Sequence, residues 1–261
     1  MIANFFQNLN AHSVEYLLIS GQATVLYGAA TFSEDIDLWL NPTSENCDRF
    51  LTTLRDCDAR YYKLTPPFTP AHLQRGHGFH FIFGVGDDQA FLDVMGKPPR
   101  TGLFSTAAET ARWMQTEWGA IRTVGIKALV ELKKTQRLED YPIISKLALA
   151  WFDQPEGAQT EDDFVWALEN IFTLPELTMF FSEHPEARAL ADRFDPKVGA
   201  LSRQLQASAD APESVEQPVR QLFQQRIAEL QMADRHYWRA IIDELKAFRA
   251  AEMLMPEGSA V

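Results

Sequence analysis

The chain has 261 residues, of which 46% are hydrophobic and 23% are charged, and its formal net charge is −12. Such an acidic balance argues against a protein that coats nucleic acid nonspecifically, because that requires many basic side chains against phosphate. No apolar stretch approaches the roughly 20 residues that span a bilayer, and the first ten residues lack the pattern of a secretory signal. We therefore expect a cytoplasmic protein that does not enter a membrane.

The first hundred residues carry the predicted strands. A β-branched and aromatic run ends at Ser20-Gly21, which predicts a turn between a strand and a helix. Two apolar runs flank Gly86-Asp87-Asp88, which is typical of a β-hairpin. The predicted elements are a strand at 14–19, a helix at 22–27, a strand at 35–40, a helix at 44–56, a strand at 61–64, and hairpin strands at 79–83 and 90–95.

Beyond residue 100 the apolar periodicity becomes helical. Predicted helices cover 105–118, 125–136 and 139–151, a helix start lies at Thr160, and a long amphipathic helix covers 216–253. We therefore predict an α+β fold with a mixed β-sheet and flanking helices in the first part, followed by a helical C-terminal half. The predicted domains are 1–104, a sheet core, and 105–261, a helical region with 105–151 packed on the core and 152–261 as a C-terminal module. The best linker candidate is 207–218.

Three carboxylates stand in predicted strands. The two-residue period of a strand from Asp35 sends Asp35 and Asp37 to one face, and Asp93 lies between Leu92 and Val94 in a later strand. Like charges on one face call for a compensating cation. Carboxylates on neighbouring strands beside a strand-glycine-helix turn are what two-metal phosphoryl chemistry needs, with Mg²⁺ ligated by oxygen.

The order of these motifs resembles a known family. The segments Ser20-Gly21-Gln22-Ala23, Asp35-Ile36-Asp37-Leu38 and Phe91-Leu92-Asp93-Val94 are similar to those of the DNA polymerase β-type nucleotidyltransferase superfamily. More narrowly, the chain resembles minimal nucleotidyltransferases that include the AbiEii toxins of toxin–antitoxin and phage-defence systems. The resemblance implies a nucleotidyltransferase-like fold and transfer of a nucleoside monophosphate from an NTP to a hydroxyl.

The resemblance also implies roles for individual residues. Asp35 and Asp37 would bind two Mg²⁺ ions, with Mn²⁺ as the alternative, and Asp93 would bind the catalytic one. The nucleotide would be bound by Ser20, Gly21, Gln22 and Ser33. Lys133 or Arg137 would reach the phosphates while Asp140 holds the arginine in place. The three lie at i, i+4 and i+7, on one face if the helix continues unbroken, and an exposed salt-bridged face explains this spacing equally well.

Two positions depart from the family's pattern, and several alternatives stay open. Ser20 stands where many relatives have Gly, and Thr31 stands where relatives often have Arg, which weakens triphosphate binding or leaves it to other cations. A nucleotide-binding sensor or partner subunit without turnover is therefore the alternative to an enzyme. For His77 and His80, packing in the core is favoured over a ligand role.

The acceptor and the protein partners are also undecided at this stage. The acceptor is an RNA 3′ end such as tRNA, a protein hydroxyl, or a small molecule such as an antibiotic. Residues 97–137 contain eight Lys or Arg and three Glu, a balance of 8 − 3 = +5, which favours RNA, whereas the overall acidity favours a small cationic acceptor. The C-terminal helices would bind an antitoxin or a second copy of the chain, with packing on their own domain as the alternative.

Overall fold

The computed structural model describes residues 1–86, 89–154, 160–208 and 211–261. By its internal contacts the chain forms two compact units. The sheet unit comprises Met1–Leu132 and His236–Val261, and the helical unit comprises Lys133–Arg235. The sequence predicted that residues 105–151 pack on the sheet core; residues 105–132 belong to the sheet unit and residues 133–151 to the helical unit. No helix among the described residues is long and apolar enough to cross a membrane.

The sheet unit contains, within the described residues, a seven-stranded mixed sheet. Its strands are β1 (Tyr16–Ile19), β2 (Ile36–Leu40), β3 (Arg60–Tyr61), β4 (Gly78–Phe83), β5 (Ala90–Met95), β6 (Arg112–Thr116) and β7 (Gly119–Thr123). Their order across the sheet is β3-β4-β5-β2-β1-β7-β6. The pairs β2–β5 and β1–β7 are parallel, and the other neighbours are antiparallel. With its flanking helices and the helical C-terminal half, this sheet confirms the predicted fold class.

The predicted hairpin is confirmed as β4 and β5. In β4, Phe79, Phe81 and Phe83 are buried, and the residues between them are only half-buried. Leu92 and Val94 are buried in β5 in the same alternating manner. One face of the hairpin therefore packs in the core, while the other is half-buried and can carry polar side chains. The predicted turn at Gly86-Asp87-Asp88 lies partly outside the described residues, which omit 87 and 88.

The prediction of one helix over 105–118 is wrong, and so is the confinement of the sheet to the first hundred residues. A short helix α5 (Phe104–Glu109) is followed by the hairpin of β6 and β7, and β7 pairs with β1 through Leu18 and Thr123. Gly119 has φ +99°, a left-handed conformation that glycine adopts without a steric cost. Exposure alternates along β6, so a period of two prevails over the helical pattern.

The other strand and helix boundaries differ from the predicted ones by only a few residues. The strand predicted at 14–19 begins at Tyr16, and the one predicted at 61–64 is the two-residue β3. The predicted helix at 44–56 is confirmed as α3 (Ser44–Asp56), capped by the Thr43 side chain, which accepts from the Asn46 N–H. The sheet unit's other helices are α1 (Ile2–Ala11), α2 (Ser20–Leu26), α4 (Pro70–Arg75) and most of α6 (Ile126–Lys133).

The helical unit is built around its own apolar core. Its helices are α7 (Asp140–Ala150), α8 (Glu161–Asn170), α9 (Leu174–Glu183), α10 (Arg188–Phe194), α11 (Pro196–Ala207) and the first part of α12 (Glu213–Ala250). Thr160 forms a capping box with Asp163, which confirms the predicted helix start. The predicted linker at 207–218 is wrong beyond residue 212, since α12 begins at Glu213; residues 209 and 210 lie outside the described residues.

Candidate functional site

The sheet aligns three polar side chains on neighbouring strands. In the parallel pair β2–β5, Asp37 lies opposite Asp93, and in the antiparallel pair β4–β5, His80 lies opposite Asp93. Side chains opposite each other on neighbouring strands share a face, and the strands are about 4.8 Å apart. His80, Asp93 and Asp37 therefore form a polar row across three strands.

The row contains a close hydrogen bond. His80 Nδ1 lies 2.7 Å from Asp93 Oδ1, with the two side chains 28% and 30% exposed. A carboxylate oxygen accepts, so the imidazole carries its proton on Nδ1 and donates it. The core role predicted for His80 is wrong, because Phe79 and Phe81 fill the core and His80 points to the opposite face. The core role of His77 is confirmed, since it is 1% exposed.

Asp35 lies outside the strand that was predicted to begin with it. β2 begins at Ile36, and Asp35 is an exposed residue of the preceding bend. The strand period therefore does not place Asp35 on the face of Asp37, as the sequence predicted. In the described parts of the chain, no group of three or more His, Cys, Asp or Glu is arranged to hold a metal ion. The two aligned carboxylates, Asp37 and Asp93, are the hard oxygen donors that the sheet brings together.

Four of the six residues predicted to bind nucleotide lie next to this row, namely Ser20, Gly21, Gln22 and Ser33. Ile19, the last residue of β1, pairs with Asp37, so the chain turns into α2 at the level of the row. A Cβ on Gly21 would lie 2.1 Å from Ser33 Oγ, and Gln22 Nε2 donates to the Ser33 carbonyl at 2.6 Å. The structure thus brings Ser33 against the start of α2.

The turn residue Ser20 is held in an unusual conformation. Its φ is +57°, in the left-handed region that costs a non-glycine residue roughly 1 kcal/mol. Its carbonyl accepts a hydrogen bond from Thr24 Oγ1 at 2.7 Å. The backbone therefore favours glycine at this position.

Lys133, Arg137 and Asp140 belong to the helical unit, whereas the polar row belongs to the sheet unit. The sequence predicted separate helices at 125–136 and 139–151, and the condition for a shared face, a helix unbroken from Lys133 to Asp140, is not met because α6 ends at Lys133 and α7 begins at Asp140. Asp140 nevertheless contacts Lys133, with Nζ to Oδ1 at 2.9 Å, and Thr135 donates to its second oxygen at 2.8 Å. Arg137 is exposed, and its backbone N–H donates to Thr135 Oγ1. Asp140 thus fixes Lys133 within the turn.

Comparison with known proteins adds little to this geometry. No family model matches the chain, and no curated protein matches it at a significant level. Among solved structures, the chain is similar to one described as the crystal structure of JHP933 from Helicobacter pylori, with 12% identity and a TM-score of 0.38 over 95% of this chain and 94% of that chain. A likeness at this level supports no inference about function.

Proposed function

We propose that this protein is a Mg²⁺-dependent nucleotidyltransferase of the DNA polymerase β type, which transfers a nucleoside monophosphate from an NTP to a hydroxyl and releases pyrophosphate. The observation that carries the proposal is the register of Asp37 with Asp93 on adjacent parallel strands. That register puts two carboxylates on one half-exposed face, beside the turn at Ser20 and Gly21.

The donor set suits Mg²⁺ with a bound nucleotide better than Mg²⁺ alone. Mg²⁺ uses one or two carboxylates and takes its other ligands from phosphate and water. Asp37 and Asp93 would supply the carboxylates, with Asp35 contributing from the bend. A bound ion would neutralise charge on the phosphates. Since phosphoryl transfer depends on positioning, the main task of these side chains is to hold the reacting groups in line.

His80 has a positioning role in this proposal. Its Nδ1–H holds Oδ1 of Asp93, which fixes the plane of the carboxylate and leaves Oδ2 for other contacts. Ser20, Gly21, Gln22 and Ser33 would bind the phosphates at the start of α2. For the acceptor we propose an RNA 3′ end such as tRNA, or a protein hydroxyl, and a small molecule remains the alternative. A toxin role with an antitoxin partner would follow from the same family resemblance.

A second candidate is a nucleotide-binding sensor or partner subunit without turnover. One observation favours it: Thr31 occupies the position where relatives often have Arg. Such a protein would bind NTP through the same turn and leave the phosphates intact.

Transfer of label separates the two candidates. The protein is incubated with each α-labelled NTP, MgCl₂, and total tRNA or lysate protein, and the label on macromolecules is counted. The variants are Asp37→Asn, Asp93→Asn and Asp35→Asn, with Asp48→Asn as the matched control because Asp48 is an exposed residue of α3. We expect Asp37→Asn and Asp93→Asn to lose more than the roughly 10- to 100-fold that loss of an outer ligand partner costs.

The other outcomes are equally informative. Bound NTP without transferred label in the wild type would support the sensor and overturn the enzyme. Equal labelling by Asp37→Asn, Asp93→Asn and Asp48→Asn would show that the aligned carboxylates have no part in the reaction. Loss of activity in Asp35→Asn as well would place the bend residue in the site.

A further inference from the structure

A cavity of about 630 Å³ lies within the sheet unit where β2 and β5 end. Asn41 and Pro42, which follow β2, and Gly96 and Lys97, which follow β5, form one side of it. The other side comes from residues 101–105 and from Gln74 of α4. Pockets of about 300–1,000 Å³ hold small molecules.

Hydrogen bonds fix the walls of this cavity. Gln74 Nε2 donates to the Pro42 carbonyl at 3.0 Å, and Trp39 Nε1 donates to the Gly96 carbonyl at 3.0 Å. The Tyr237 hydroxyl donates to the Lys97 carbonyl at 2.7 Å. Backbone oxygens on both strand ends are thereby occupied by the protein itself. Walls held in place by the protein's own hydrogen bonds lower the entropic cost of binding.

The lining defines the chemistry of a ligand. Phe104 and Leu103 supply apolar surface, and Leu103 is 74% exposed at the rim. Among the described lining residues, Lys97 alone carries a charge. A lysine is a point charge with three donors, which suits one carboxylate, whereas a phosphate dianion generally calls for more than one cation or a set of N–H groups.

We propose that this cavity binds an organic monocarboxylate with an apolar body, whose carboxylate pairs with Lys97 and whose body lies against Phe104 and Leu103. The site is distinct from the polar row. Asn41 follows Asp37 by four positions along the chain, which corresponds to about 13 Å at the rise of a strand. The carboxylate ligand is therefore independent of the proposed nucleotidyl transfer, and neither proposal depends on the other.

Calorimetric titration of the full chain with sodium octanoate tests the site. We expect octanoate to bind with one-to-one stoichiometry and a negative heat-capacity change, as burial of apolar surface requires. Lys97→Gln should weaken octanoate binding about tenfold, since a charge-assisted contact is lost. The matched control is Lys63→Gln, an exposed lysine of the same unit outside the cavity, which should leave the affinity unchanged.

A second variant and a second probe complete the test. A Cβ on Gly102 would meet no atom within 4 Å, so Gly102→Trp adds a large side chain at the cavity without a backbone clash and should abolish octanoate binding while the melting temperature is kept. Octylamine has the same chain with the opposite charge and should not bind. The proposal is overturned if octanoate fails to bind the wild type, binds Lys97→Gln and Gly102→Trp with unchanged affinity, or binds no better than octylamine.

Discussion

The two ends of the parallel pair β2–β5 have opposite chemistry. At one end, Asp37 and Asp93 lie side by side and His80 joins them from β4. At the other end, the chain leaves both strands into a cavity whose lining carries one positive charge, that of Lys97. A single strand register thus aligns two carboxylates and, about four residues further on, leads both strands to a cavity lined by one lysine.

The largest expected effect on stability is at Trp39, which lies between the two ends of the β2–β5 pair. Trp39 is fully buried, donates to the Gly96 carbonyl and packs edge-on against Phe104, with ring centroids 5.8 Å apart. Trp39→Ala should lower the free energy of unfolding by about 3–5 kcal/mol, since a large side chain and a hydrogen bond are lost together. Urea denaturation followed by circular dichroism measures the loss.

The control for that change is Trp113→Ala. Trp113 is 59% exposed on β6, so its removal should change the free energy of unfolding by less than about 0.5 kcal/mol. Equal losses for the two tryptophan variants would contradict the position of Trp39 as the link between the ends.

A smaller effect is expected at the acidic end from the contact of Gly21 with Ser33. Gly21→Ala places a Cβ 2.1 Å from Ser33 Oγ and 2.8 Å from its Cβ, so it should destabilise the protein by about 1–3 kcal/mol. Adding Ser33→Gly removes both atoms and should recover most of the loss, which a double-mutant cycle by thermal melting measures. Gly102→Ala at the cavity end is the control and should have little effect. Additive losses in the cycle would mean that the two residues do not touch.

Stabilisation by a bound ligand should be of similar or smaller size, and it distinguishes the two ends of the β2–β5 pair by the charge that each end binds. MgCl₂ with a nonhydrolysable NTP at ten times the dissociation constant should stabilise the wild type by about 1.4 kcal/mol. Asp93→Asn should lose this gain in thermal melting, whereas Asp48→Asn and Lys97→Gln should keep it. A gain that survives in Asp93→Asn would place the cation elsewhere.

Much of the acidic end was predictable, because its signals are local. A charged residue between Leu92 and Val94 in an apolar strand stands out within a few residues, and so does Asp37. The core position predicted for His80 is wrong, although the sequence contains the pattern that argues against it. Phe79 and Phe81 alternate into the core, so the residue between them lies on the opposite face, with Asp93. The start of β2 at Ile36 could not be predicted from local sequence, since the ends of a strand depend on its pairing with neighbouring strands.

The cavity end was not predictable from any short window. Its walls come from residues 41 and 42, 74, 96 and 97, and 101–105, which only the folded sheet brings together. The hairpin of β6 and β7 was missed for a related reason. The run from 105 to 118 fits a helical period, and only the pairing of β6 with β7, which in turn pairs with β1, makes the alternating period prevail.

The smallest expected effect is a pH dependence of stability that arises from Glu244, near the cavity end. Glu244 of α12 accepts from His77 at 2.8 Å and pairs with Arg75 at 3.0 Å, next to Gln74 in the chain. The hydrogen bond from His77, aided by Arg75, holds the pKa of Glu244 below its usual value of 4.5. Because the folded pKa is the lower one, the stabilisation is present above about pH 4.5 and is lost as the pH falls through the folded pKa.

The variant Glu244→Gln removes this carboxylate and should flatten the dependence. Between pH 6 and pH 3, the urea midpoint of the wild type should fall further than that of Glu244→Gln. The side chain is about one-third exposed, so solvent screening keeps the difference small. Glu45→Gln, an exposed glutamate of α3, is the control and should follow the wild type. If Glu244→Gln and Glu45→Gln both follow the wild type, the contact of Glu244 with His77 contributes nothing to acid stability at the cavity end.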